Sequence, residues 1–201
     1  MALIAEQVGF YYKENQWVFQ NVNLRVDCGA VIGISGYSGC GKSTFAKILA
    51  HFLLPVQGEI SVDGHPFKKG VYQPVQLILQ HPEKALNPKW RMYRSLHESY
   101  TPDQALLERF GIRKEWLNRF PIEISGGEMQ RFCIVRALHP ETKYIIADEM
   151  TTMLDSYTQA YIWRVFLEIC AERQIGVVII SHEAEILSRL CDDVIAMKNL
   201  F

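Results

Sequence analysis

A chain of 201 residues, 49% hydrophobic and 21% charged, can bury a substantial core as one compact domain, or as one domain with a small insert. Its formal net charge of -1 lacks the basic excess by which nucleic-acid binders announce themselves, so no nucleic-acid partner is expected. The five cysteines, Cys28, Cys40, Cys133, Cys170 and Cys191, are odd in number and show no C-x-x-C spacing, which fits reduced thiols rather than a disulfide framework or a zinc site. No stretch approaches the roughly 18 apolar residues of a membrane span, and the first residues do not read as a secretion signal.

The first predicted strands are Leu24-Arg25-Val26 and Ala30-Val31-Ile32-Gly33-Ile34. The second runs into Gly36-Tyr37-Ser38-Gly39-Cys40-Gly41-Lys42-Ser43, followed by Thr44 and a helical pattern to Leu49. This segment matches G-x-x-x-x-G-K-[ST] in full and lies between strand and helix, the context expected of a working phosphate loop. Its glycines let successive N–H groups converge on an anion, the helix N-terminus adds a favourable dipole, Lys42 can reach the β and γ phosphates, and the Ser43 hydroxyl can bind Mg²⁺.

From Pro82 to Ile124 no strand is evident, while residues 103–110 and 114–117 suggest short amphipathic helices. We expect an α/β core formed by residues 1–81 and 125–201, with a helical subdomain, 82–124, inserted in it. Ser125-Gly126-Gly127-Glu128 then opens a helix expected over residues 130–139. Ser-x-x-Glu is a capping-box pattern, but glycine costs about 1 kcal/mol against alanine in a helix interior, so the pair suggests backbone left bare for an anion. The apolar runs 143–147 and 176–180 read as strands of a parallel sheet, separated by a helix over residues 156–173. The first ends in Asp148-Glu149, a pair that can serve a metal and polarise a water, or simply cap a helix. The second ends in Ser181-His182, and His182, like Gln80 after residues 77–79, is ambiguous taken singly.

Together and in order, these elements resemble the ATP-binding subunits of ABC transporters over nearly the whole chain. The resemblance implies a P-loop NTPase core of ABC ATPase type with an inserted helical subdomain, hydrolysing ATP with Mg²⁺. It makes residues 36–44 the Walker A loop, Tyr12 the aromatic that stacks on adenine, Gln80 the Q-loop glutamine, and residues 124–128 the signature motif. Residues 144–149 become the Walker B strand, with Glu149 as catalytic base, Asp155 the D-loop aspartate and His182 the switch histidine. The implied metal-shell residues are Ser43, Gln80 and Asp148, and Ser125, Gly126, Gly127 and Glu128 would serve nucleotide held by the opposite subunit of a head-to-tail dimer. Ile124, Glu128 and Met150 depart from the commoner leucine, glutamine and proline without removing a catalytic group.

A finer similarity lies in residues 81–88 (HPEKALNP) and 150–155 (MTTMLD), which resemble importers of nickel, metal chelates (metallophores) and oligopeptides. In that group the implied partners are two transmembrane permease subunits, a second, usually different, ATPase subunit or a second copy, and indirectly an extracellular or periplasmic binding protein. The implied location is peripheral, on the cytoplasmic face of the cell membrane. A soluble ABC-type ATPase of a cytosolic complex is the alternative, since the catalytic motifs are shared.

Overall fold

The computed structural model describes residues 1–68 and 70–200, which divide into two compact units. The first comprises residues 1–77, 141–148 and those from 173 onward. In it β1 (Ala2–Tyr11), β2 (Trp17–Asp27), β4 (Gln57–Val62) and β5 (His65–Pro66) form a sheet of order β2-β1-β4-β5, antiparallel throughout. A second sheet has the order β6-β7-β8-β3-β9, built from β3 (Val31–Ser35), β6 (Val75–Ile78), β7 (Tyr144–Asp148), β8 (Gly176–Ile180) and β9 (Asp193–Ala196). The β7–β8, β8–β3 and β3–β9 pairs are parallel. β7 and β8 are buried at every position, which is why they read in sequence as unbroken apolar runs. Leu3, Val8, Val22 and Val26 from the antiparallel sheet share one core with Ile34, Ile146 and Val178 and with Phe45, Ile48 and Leu49 of α1 (Lys42–Leu49).

The second unit, residues 78–140 and 149–172, is helical: α2 (Met92–Leu96), α3 (Gln104–Arg109), α4 (Gly126–Ala137) and α5 (Ser156–Glu172), with 3-10 turns at Pro82–Lys84, Lys114–Asn118 and Pro121–Glu123. Its buried side chains include Met92, Leu96, Phe110, Phe132, Ile134, Ile162 and Phe166. The expected insert, 82–124, falls inside this unit, which also takes in α4 and α5. The expected helix 114–117 is a 3-10 turn, and the one expected from Gln130 begins at Gly126, its glycines forming the first turn.

The sequence reading did not anticipate β1, β4, β5, β6 or β9. In β1 the pairing register shifts between Ala5 and Val8, and Gln7 adopts a left-handed φ of 50°, its amide donating to Asn23 Oδ1 at 2.9 Å. An irregularity of this kind swaps the faces of the strand and breaks the alternation that would have betrayed it. The expected strand at residues 24–26 is one end of an eleven-residue β2.

Candidate functional site

The loop between β3 and α1 folds around its own lysine. Lys42 is 7% exposed, and its ammonium donates to the carbonyls of Gly36 at 2.7 Å and Tyr37 at 2.9 Å, with Cys40 Sγ 3.9 Å away. A buried cation needs such acceptors, and here the backbone of the loop supplies them. Gly41 stands at φ 98°, where a Cβ would meet Val18 at 2.8 Å and Phe19 at 3.0 Å, so only glycine lets the chain turn here into α1. Ser38 and Gly39 are exposed in the loop, and Ser43 and Thr44 begin the helix. Tyr12, from the end of β1, reaches this place: its hydroxyl lies 3.0 Å from Thr44 Oγ1. Its ring is 64% exposed and packs edge-on against Phe10 at 4.9 Å, leaving an aromatic face open beside the phosphate loop.

Register gathers the next residues. Ile34 pairs with Ile180, and Ile180 with Asp148, so the carboxyl ends of β3, β8 and β7 are level across the sheet. The phosphate loop, His182 and Asp148 therefore leave one edge of three adjacent parallel strands, the edge at which open α/β sheets bind ligands. Asp148 is buried at 6% exposure. A buried carboxylate on the same edge as a loop that holds a lysine ammonium on its own carbonyls suits a magnesium-bound polyphosphate.

Glu149, which follows Asp148 in the chain and belongs to the second unit, has a left-handed φ of 50°. Within its unit its Oε2 accepts from Gln80 Nε2 at 2.9 Å, and the same nitrogen lies 3.4 Å from Thr152 Oγ1. Thr152 returns the favour to the backbone, its hydroxyl donating to the Glu149 carbonyl at 3.1 Å. Thr151, buried at 3% exposure, accepts from Gln159 at 2.8 Å and from the Trp163 indole at 3.0 Å, so α5 anchors the turn that aims Glu149. Gln159, Thr151 and Trp163 were missed in the sequence, because nothing in their spacing advertises a shared hydrogen-bond hub.

Ser125 caps α4. Its Oγ accepts from the Glu128 amide at 3.2 Å, and Glu128 Oε2 accepts from the Ser125 amide at 2.7 Å, the reciprocal box that the sequence allowed. Gly127 has a packing reason to be glycine: a Cβ there would stand 2.6 Å from Leu154 Cδ2. A cleft of about 520 Å³ opens here, lined by Ser125, Gly126, Gly127 and Glu128, by Asp155 and its neighbours, and by Arg113 and Arg131. Asp155 Oδ1 accepts from the Thr158 amide at 3.0 Å, and hydrogen bonding from Thr158 holds its carboxyl below the usual range. Arg131 donates to the Phe110 carbonyl at 2.7 Å, and burial is the first cause that lowers its pKa. These two arginines, which the sequence reading passed over, give the cleft a cationic wall.

Comparisons with known proteins agree with this geometry. The sequence profile described as "ABC transporter" matches residues 19–152. The nickel import system ATP-binding protein NikE of Staphylococcus aureus (strain N315) is 31% identical over 96% of this chain and 85% of its own length. Among solved structures, the ATP-binding cassette MJ0796 bound to ADP and Pi superposes with a TM-score of 0.80 at 24% identity, covering 96% of this chain and 93% of that one. The cbiO1 protein of Clostridium perfringens, described as part of the ABC transporter complex cbiONQ, superposes at 0.79 and 24% identity, over 96% and 83%. Those two likenesses establish the P-loop NTPase fold; the profile and the curated relative establish descent, and by them the chain belongs to the ABC transporter family, as an ATP-binding subunit whose reaction is the hydrolysis of ATP.

Proposed function

We propose that the chain is the ATP-hydrolysing motor of an ABC importer for nickel, a metal chelate or oligopeptides. The observation that carries this reading is the likeness to a nickel-import ATP-binding protein along 96% of the chain, together with catalytic residue types on one sheet edge. Lys42 exchanges its Gly36 and Tyr37 carbonyl partners for the β and γ phosphates of ATP, and the amides of residues 36–44, among them Gly36, Ser38, Gly39, Cys40 and Gly41, cradle the phosphate chain. Tyr12 offers its ring to adenine. Ser43, Asp148 and Gln80 are the residues that would hold Mg²⁺, which when bound neutralises charge on the transferring phosphoryl group. Glu149 takes the proton from the attacking water and His182 hydrogen-bonds the γ-phosphoryl oxygen or that water. Ser125, Gly126, Gly127 and Glu128, with Asp155, face nucleotide held by the opposite ATPase subunit.

No described helix is long and apolar enough to cross a membrane. In this reading the cargo path belongs to two permeases, with a second ATPase completing the motor at the cytoplasmic membrane face. An affinity pull-down from mild-detergent membranes of the source cell is expected to recover two permeases and a second, different ATPase. Recovery of soluble enzymes or ribosomal proteins alone would overturn the importer assignment.

The Ser125 cap separates two roles by mutation. Ser125→Ala is expected to cost about 1 kcal/mol of stability through the lost cap, measured by chemical unfolding. Ser125→Asp keeps a capping oxygen but sets a carboxylate against the incoming phosphate, so it should retain stability and lose turnover. Normal turnover in Ser125→Asp would remove Ser125 from the nucleotide site.

Thiol chemistry offers a second check. Burial pushes the Cys133 and Cys191 thiols up to about 12, which keeps both protonated and poorly nucleophilic at pH 8. Cys40 is half-buried in the phosphate loop. Maleimide at pH 8 should label Cys40 ahead of Cys133 and Cys191 and inhibit ATPase activity, with ATP protecting. Full activity after Cys40 labelling, confirmed by peptide mass spectrometry, would contradict its place in the phosphate site.

A further inference from the structure

Three side chains of α4, each three residues beyond the last, hold three carbonyls of the segment that follows β6 at the same spacing. Gln130 Nε2 donates to the Leu79 carbonyl at 3.2 Å, Cys133 Sγ to Pro82 at 3.9 Å and Arg136 Nη1 to Ala85 at 2.8 Å, each at a sequence separation of 51. The constant offset means that one face of α4 runs alongside residues 79–85 in fixed register, a three-rung ladder rather than scattered contacts. Residues three apart share a helix face, and the 3-10 turn at Pro82–Lys84 gives the partner segment the same period. The first rung grips the carbonyl immediately before Gln80, whose side chain holds Glu149 at 2.9 Å.

From this we infer that the ladder makes α4 and the Gln80 segment one mechanical piece, and that Gln130 is a positioning residue for the Gln80–Glu149 pair. The inference rests on the reading of Ser125 and Glu149 given above: phosphate engaged at the N-terminus of α4 is then felt at the catalytic carboxylate through Gln130, about one helical turn into α4. The choice of residue at position 130 supports a role beyond stability. Gln130 is 1% exposed, and its Oε1 has no hydrogen-bond partner among the described residues, a cost that leucine would not carry. Cys133, kept protonated by burial, remains a donor throughout the working pH range.

A double-mutant cycle on the assembled transporter tests this, since residues acting through one another are non-additive. Gln130→Leu is expected to lower kcat for ATP about tenfold with KM nearly unchanged and with the thermal midpoint retained. Gln80→Ala should also lower kcat, and the double variant should be no worse than the more damaging single one. Additive losses in kcat, or a loss that merely tracks a lower thermal midpoint, would overturn the inference. Hydrogen exchange of the nucleotide-free protein is a readout independent of catalysis. In Gln130→Leu the amides of residues 79–81 should lose protection while those of β7 keep it. Unchanged protection at 79–81 would count against the ladder, even if the parent protein proved inactive and the functional reading itself fell.

Discussion

Glu149→Gln is expected to abolish turnover while leaving nucleotide binding and folding intact. The substitution keeps an amide oxygen where Glu149 Oε2 accepts from Gln80 at 2.9 Å, so the local geometry survives; what is lost is the capacity to take a proton. A positioned general base contributes about 10²–10⁴-fold to rate, which sets the expected fall in phosphate release at saturating ATP. Because binding is retained and the step that reopens the motor is blocked, ATP should trap the variant as a closed dimer, with its partner ATPase or a second copy. Light scattering with ATP detects that state. Phosphate release at the parent rate would show that Glu149 is not the base.

Lys42→Ala should fail earlier, at binding. In the protein as described, the ammonium is coordinated by two carbonyls of the loop, a pre-organised position from which it needs only to change acceptors. Hydrogen bonds to a charged group contribute about 1.5–3 kcal/mol, so removing the ammonium should weaken ATP affinity on the order of 10- to 150-fold. Titration calorimetry measures this directly. The two substitutions therefore divide the reaction: Lys42→Ala lowers affinity, Glu149→Gln lowers turnover at full occupancy. Affinity within twofold of the parent in Lys42→Ala would mean that the loop binds phosphate through its amides alone.

What the sequence by itself determined is the local chemistry. The phosphate loop was legible because a backbone that must cradle an anion requires glycine at set positions and a lysine at the first position of the helix, and these demands are met within eight residues. The strands β7 and β8 were legible because burial on both faces forces an unbroken apolar run, and the carboxylates and histidine at their ends follow as the first polar residues beyond. The capping box at Ser125 was legible for the same reason, since Ser125 and Glu128 lie three residues apart and answer each other. The bulged β1 was not, because a register shift at Gln7 changes which residues face the core without leaving a regular period.

Only the tertiary structure decided which distant residues act together. Tyr12 meets Thr44 because β1 ends beside the loop, and Thr151 becomes an anchor only when α5 brings Gln159 and Trp163 to it. Gly127 is glycine partly for the sake of Leu154, a neighbour that no local pattern names. Gln130, Cys133 and Arg136 form a ladder only because α4 lies in register with a segment 51 residues earlier. The physical reason is common to all of these. Backbone conformation and burial leave a short-range imprint on composition and period, whereas a hydrogen bond between side chains far apart in the chain depends on where whole elements pack, and its participants look in sequence like ordinary polar residues.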